Sequence, residues 1–305
     1  NTVTSNTTNP VTLGTDAVYI YQNDNTGTIN NYTPLTSTGD RNYGLYGNGT
    51  INNNAVINFT TGNGNVGMYA TTGGIATNNT GGVIKVGASN TTAKEFGVGM
   101  ATGYYNEATG TISNQGTIIN HGTIEVSQPK SMGMYAVGSG SKAINYGNIN
   151  LSGSETVGMY IDRGAEGENW GTIQTTAGGL TGVKGVYVAN GGYIKNYGTI
   201  SIGATDSKSA GIWTDNADHA EENATGVHPI TGASKTGTST PAMKVATASD
   251  EKTMGGVSVK VPPRATVPTV TDAQGNVIPI FKVDTDVAAP APTTAIVTSP
   301  SGITS

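Results

Sequence analysis

One four-residue phrase, apolar-Gly-apolar-Tyr, returns along this chain and limits it to folds built by stacking like units. It stands as Tyr43-Gly44-Leu45-Tyr46, Val66-Gly67-Met68-Tyr69, Met132-Gly133-Met134-Tyr135 and Val157-Gly158-Met159-Tyr160. Looser copies are Asp16-Ala17-Val18-Tyr19, Lys184-Gly185-Val186-Tyr187 and Ala210-Gly211-Ile212-Trp213, with a degenerate one from Gly97 to Met100. A second phrase, Asn-x-Gly-Thr-Ile, follows most copies: Asn25 to Ile29, Asn114 to Ile118, Asn120 to Ile124, Asn169 to Ile173 and Asn196 to Ile200, with Asn145 to Ile149 a near match. Clean copies of the first phrase recur roughly every 23 to 27 residues, a solenoid period. The stretch from 97 to 132 is longer and carries three Gly-Thr-Ile triplets.

Short β-prone runs turned by Gly and Asn corners, with no helix signals, predict an all-β, right-handed parallel β-helix. Eight or nine coils at about 4.8 Å each give a rod of about 40 Å. Period-two alternation places Ile124, Ile149, Ile173 and Ile200 inside, beside Val126, Leu151 and Ile202, and turns Thr123, Thr172, Thr199, Glu125, Asn150 and Gln174 to solvent. Asn145, Asn169 and Asn196 fall on the inner side of a corner, where amides stack as a ladder from coil to coil. In the first phrase the middle residue (Val18, Leu45, Met68, Met134, Met159, Val186, Ile212) is assigned to the core. The following aromatic is assigned to the outer face, over a Gly of the same face that leaves it room.

The pattern stops near 228. Residues 1–228 are read as the β-helix, and 229–305 as a Pro/Thr/Ala-rich region: nine of the 12 prolines lie there, which excludes regular central strands. Within it Val267 to Val283, around Asp272-Ala273-Gln274-Gly275-Asn276, is read as an irregular hairpin, and 284–305 as a linker.

Composition narrows the function. Only 11% of the 305 residues are charged and the net charge is −5, with no basic block, so nucleic acid and anionic membrane are excluded as partners. No stretch is apolar enough for a transmembrane helix, and the chain starts at Asn1 without a leader pattern, which reads as a mature product or an excised piece. The absence of Cys removes disulfides, thiolate metal sites and thiol nucleophiles. Sequons at Asn6, Asn58, Asn78, Asn90 and Asn223 are what an Asn/Thr-rich chain yields by chance.

Two kinds of candidate surface remain, and neither implies a cofactor or metal. The aromatic stripes, Tyr135, Tyr160, Tyr187 and Trp213 of the first phrase (with Tyr19, Tyr46 and Tyr69 before them) and Tyr146, Trp170 and Tyr197 just before Gly-Thr-Ile, can hold sugar rings or a protein surface. The plainer reading is a ring ladder that only stabilises neighbouring coils. Asp162, Glu166 and Glu168 in one loop, and Asp215, Asp218, Glu221 and Glu222 two coils on, form an acidic edge attractive to a cationic partner or simply solubilising. The cluster around Asp215, His219 and His228 has no recognised metal spacing.

The alternation of Val-Gly-Met-Tyr with Asn-x-Gly-Thr-Ile resembles passenger repeats of the large autotransporter adhesins of Fusobacterium and its relatives over roughly 15–228. The resemblance implies a non-catalytic, extracellular segment of an outer-membrane-anchored (type V secretion) virulence protein. Such a segment is continuous with further passenger and a C-terminal β-barrel, and binds a protein or glycan on host or bacterial cells. It transfers no site residue. The alternatives are a β-helical polysaccharide-acting enzyme or tailspike-like depolymerase, with Asp162, Asp215 and His219 as its candidates, and a non-binding spacer.

Overall fold

The computed structural model describes residues 2–246 and four short strands beyond them, Thr269–Thr271, Val277–Pro279, Lys282–Asp284 and Ile303–Thr304. Residues 2–246 form an all-β parallel solenoid of about eight turns, in which each coil lends one strand to each of three sheets. Sheet 1 runs from Thr2–Ser5 to Ala220–Glu221, sheet 2 from Val11–Leu13 to Thr238–Thr240, and sheet 3 from Val18–Asn23 to Lys244–Val245. The ladders thus run on past residue 228. Lys282–Asp284 pairs with Val18–Asn23, and Ile303–Thr304 with Thr2–Ser5. Thr269–Thr271 pairs antiparallel with Val277–Pro279. The loop Asp272 to Asn276, and the remainder of the 284–305 segment read as a linker, lie outside the described residues.

The core is a set of columns. Ile57, Ile84, Ile124, Ile149, Ile173 and Ile200 stand in register on sheet 2, all buried, and face Leu45, Met68, Met100, Met134, Met159 and Val186 of sheet 3. Each such side chain contributes about 1.5–3 kcal/mol on leaving water. Val126, Leu151 and Ile202 join them as the alternation requires.

Alternation fails at one place per coil, and that place carries the first phrase. On sheet 3 the register pairs Val66 with Val98 and Met68 with Met100, while Gly67 and Met68 both turn inward. A Cβ on Gly67 would lie 2.6 Å from the Gly99 carbonyl oxygen and 2.8 Å from Ile84 Cγ2. Gly99, Gly133, Gly158 and Gly185 meet the same pair of obstacles, the next coil's glycine carbonyl and an isoleucine of sheet 2. The glycine therefore admits close approach of backbone inside the core. It does not make room for the tyrosine, which lies on the opposite side of the strand, so the shared outer face expected for Gly and Tyr is corrected.

The second phrase marks a corner. Asn31, Asn53, Asn78, Asn120, Asn145, Asn169 and Asn196 are fully buried; the Nδ2 of each of the first six donates to the next Oδ1 at 2.9–3.0 Å, and Asn196 Nδ2 ends the ladder on Glu222 O and Thr238 O. Each amide also closes a local turn, as where Asn145 Nδ2 donates to Gly147 O at 3.2 Å and Gly122 N donates to Asn120 Oδ1 at 3.2 Å. After Asn120, Asn145, Asn169 and Asn196 a Gly stands two residues on, and there the coils approach too closely for a side chain: a Cβ on Gly171 would sit 2.1 Å from Gly147 O. The same words serve two sheets: Thr28 and Thr117 begin sheet 1 strands, whereas Thr123, Thr172 and Thr199 begin sheet 2 strands. The third triplet, Thr111–Ser113, leaves the solenoid and pairs with Tyr104–Asn106 as a hairpin.

Candidate binding surface

The first aromatic stripe is not an open surface. Tyr46, Tyr69, Tyr135, Tyr160, Tyr187 and Trp213 stand in one column on the outer side of sheet 3, yet all are buried in a second apolar layer. They cover one another: Tyr46 and Tyr69 stack at 4.9 Å, Tyr135 and Tyr160 lie 5.6 Å apart, and Tyr160 and Tyr187 stack at 4.5 Å. A flanking column of Tyr43, Val66, Val98, Met132 and Val157 packs along the rings. Tyr69 Oη donates to Gly103 O at 2.6 Å, which ties the layer to the Tyr104–Ser113 hairpin. Tyr105 of that hairpin lies 3.8 Å beneath the Arg163 guanidinium. Burial pushes the Tyr69, Tyr135 and Tyr160 hydroxyls up. Tyr19 also departs from its expected place: it occupies the glycine position, inside the core with its hydroxyl 2.7 Å from Ser5 Oγ, and Tyr21 takes the stripe position.

The second stripe lies outside the core. Every ladder Asn is followed by a side chain on the outer corner, which gives the file Tyr32, Asn54, Asn79, His121, Tyr146, Trp170 and Tyr197, one per coil. Trp170 and Tyr197 stack at 3.8 Å and 5°, and His121 and Tyr146 at 4.9 Å and 8°. Asn79 Nδ2 donates to Asn54 Oδ1 at 2.9 Å. Tyr32 is 49% exposed, and His121, Tyr146 and Tyr197 are half-buried. Burial, with Glu168 adding, raises the Tyr146 hydroxyl, and burial followed by His228 lowers the His121 imidazole. Sequence reading missed Tyr32 and His121, although the position after each ladder Asn marks both, and it placed His228 with Asp215 and His219 rather than beside this file.

His228 reaches the file from a separate element. Strands Thr225–Val227 and Ser234–Thr236 pair antiparallel and fold back over the rings. The His228 ring lies 5.3 Å from Tyr146 and 5.6 Å from Trp170. A Cβ on Gly226 would be 2.9 Å from Tyr197 Cε1 and 3.2 Å from Trp170 Cη2. Trp170 is left 6% exposed, and its Nε1 is buried without a partner among the described residues.

The acidic residues do not form one edge. Asp162 is buried, pairs with Arg163 and accepts from Asn190 Nδ2 at 2.8 Å; burial raises its carboxyl while Asn190 and Arg163 pull it down. Asp215 accepts from the Asn190 backbone N at 2.9 Å, so one asparagine links these two carboxylates. Glu166 pairs with Lys142 at 3.6 Å, Glu221 accepts from Tyr193 Oη at 3.1 Å, and Glu222 accepts from Met243 N at 2.8 Å. Asp218 is exposed in the 3-10 turn Ala217–His219. Glu168 is half-buried on sheet 1 beside Lys195. A polar trough of about 430 Å³ on the outer face of sheet 2 is lined by Lys85, Glu125, Asn150 and several hydroxyls. Among the described residues no three His, Asp or Glu gather as a metal site, and no helix is long and apolar enough to cross a membrane.

Residues 1–170 match the family model of the BigA third pectate lyase-like domain. The chain belongs to this family. No curated protein and no solved structure matches it. The β-helical architecture of a pectate lyase-like domain is the one described above, and the matched portion of this BigA-like domain ends at the Trp170 coil. The match speaks for the type of domain and not for the Fusobacterium lineage.

Proposed function

We propose that the chain is a passenger segment of a bacterial surface adhesin that attaches to other bacteria or to host cells, exported by the autotransporter route and displayed outside the outer membrane. Membership in a BigA domain family fits a surface adhesin passenger. The observation that carries the reading is the file from Tyr32 to Tyr197, flat side chains repeated once per coil on the outside of a rigid rod. Stacked rings with polar edges combine apolar area with hydrogen-bonding capacity at little entropic cost. The buried sheet 3 stripe is assigned to stability instead.

The test is binding of the purified, fluorescently labelled chain to a panel of bacterial and host cells. Saturable binding to at least one cell type is expected; a spacer shows none. Incubation with polysaccharides addresses the enzymatic alternative, with Asp162→Ala and Asp215→Ala alongside. Cleavage lost in those variants overturns the adhesin reading.

A further inference from the structure

We propose that the hairpin of strands Thr225–Val227 and Ser234–Thr236 is an acid-released cover, which protonation of His228 unfastens from the corner file so that Trp170 meets solvent. The inference goes beyond the adhesin reading and is tested without any ligand, so the two fail separately. It rests on how His228 is bonded, on the groups that face it and on how little else holds the hairpin.

His228 fastens the hairpin only as a neutral base. Its Nδ1 accepts from the backbone N of Ile230 and from that of Thr231, both at 3.2 Å. Two converging amides claim the Nδ1 lone pair and leave the ring proton on Nε2. Imidazoles change charge between about pH 5 and 8, and an imidazolium carries a proton on both nitrogens. In the charged form three donors would crowd one point. The ring must then leave the pose in which it lies 5.3 Å from Tyr146 and 5.6 Å from Trp170.

The groups facing His228 decide the direction. On the rod, His121 stacks on Tyr146, and burial followed by His228 lowers its imidazole. A histidine lowered in the covered state takes up a proton more readily once uncovered, so acid favours the open form at His121 as well. On the hairpin, Lys235 stands directly across from Gly226 and so shares its ring-facing side, adding a like charge. Glu168, which acts on Tyr146, and the aromatic rings attract a cation instead. Neither of these lets an Nδ1 proton occupy the place where two amide protons converge.

Little else holds the hairpin down. Its strands are three residues each and pair only with one another, a unit marginal by itself. Val227 and Ile230 are 62% and 61% exposed, and Gly226 brings no side chain to the Trp170 and Tyr197 rims. The covered state also leaves Trp170 Nε1 buried without an acceptor among the described residues, a cost that water removes on opening. Both ends are pinned to the rod, where Ala224 N donates to Asn196 O at 3.0 Å and Thr238 N donates to Gly198 O at 2.9 Å. The hairpin therefore pivots between them while the ladders stand.

Trp170 reports the cover once Trp213→Phe removes the other of the two tryptophans and keeps a ring in the sheet 3 column. In that full-length background, acrylamide quenching of Trp170 fluorescence is followed from about pH 7.5 to about pH 5, with far-UV circular dichroism as the check on folding. His228→Asn keeps an acceptor, Oδ1, where Nδ1 stood but takes up no proton, whereas His228→Ala keeps neither. Excision of 225–236, joining Ala224 to Gly237, supplies the uncovered reference. The background chain is expected to show a reversible rise of about fivefold or more in the quenching constant, towards that of the excised form, with its circular dichroism unchanged. His228→Asn is expected to stay low throughout, and His228→Ala high throughout. A flat profile in the background chain, a rise that persists in either His228 variant, a His228→Ala form as protected as the background chain, or a rise that comes only with loss of the circular dichroism signal overturns the acid-released cover.

Discussion

Asn145 holds the middle of the amide ladder, accepting from Asn120 and donating to Asn169, both at 2.9 Å. Asn145→Ala strips a partner from each neighbour inside the protein, where an unanswered polar group costs about 1–3 kcal/mol. A loss of about 3 kcal/mol is expected in urea unfolding, and a loss under about 0.5 kcal/mol contradicts the ladder's role. Lys184 stands in the otherwise apolar outer column of sheet 3, 6% exposed and 5.2 Å from the Trp213 ring centroid. Burial, helped by Lys130 and Lys208 and partly offset by Asp206 and Glu155, lowers its ammonium from 10.5 to about 8. The unfolded chain therefore keeps a proton that the folded chain releases between those values, and stability rises with pH from about 8 towards 10. Above 10 the buried tyrosines, whose hydroxyls are raised, act in the opposite sense. Lys184→Met flattens the rise between pH 8 and 10 and raises the melting temperature at pH 7; an unchanged profile contradicts the assignment.

At the scale of the strand, the phrase Val-Gly-Met-Tyr encodes a break in alternation rather than a run of it. Gly158 shows why the glycine is needed: a Cβ would lie 2.4 Å from Gly185 O and 2.7 Å from Ile173 Cγ2. Gly158→Ala is expected to cost about 3 kcal/mol in chemical denaturation, because both obstacles belong to packed coils. Gly203→Ala, whose Cβ meets only Thr175 Oγ1 at 3.2 Å, serves as the mild comparison. The Ile and Asn columns were legible in the sequence because strict alternation and a repeated corner residue mark them in every coil. The burial of Tyr135 and Tyr160 was not. Two successive inward residues leave the tyrosine outward as expected, but its cover comes from stacked neighbours and from the Tyr104–Ser113 hairpin, which the repeat does not encode. Tyr19 misled for a related reason: the first coil puts a tyrosine where later coils put glycine, so the phrase aligned two residues early.

The whole molecule behaves as a one-dimensional stack, in which each coil contacts chiefly its neighbours. Deleting 145–168 removes one strand from each sheet and brings Asn169 into the place of Asn145 in register. The shortened chain is expected to fold, with the rod about 4.8 Å shorter in small-angle scattering. Failure to fold contradicts the modular account. At this scale the site was only partly legible. Tyr146, Trp170 and Tyr197 were found from their place just before Gly-Thr-Ile, but the hairpin that returns His228 to them joins residues far apart in sequence. The acidic residues look like a cluster along the chain and disperse because Asp162 is buried beside Arg163 on the outer side of sheet 3 while Glu166 and Glu221 engage separate partners. The most direct measurement of the central claim is a cell-binding isotherm for the parent chain beside a Trp170→Ala/Tyr197→Ala double variant of matched melting temperature. The account predicts saturable binding by the parent and a loss of at least tenfold in the variant; equal binding by the two, or none by the parent, contradicts it.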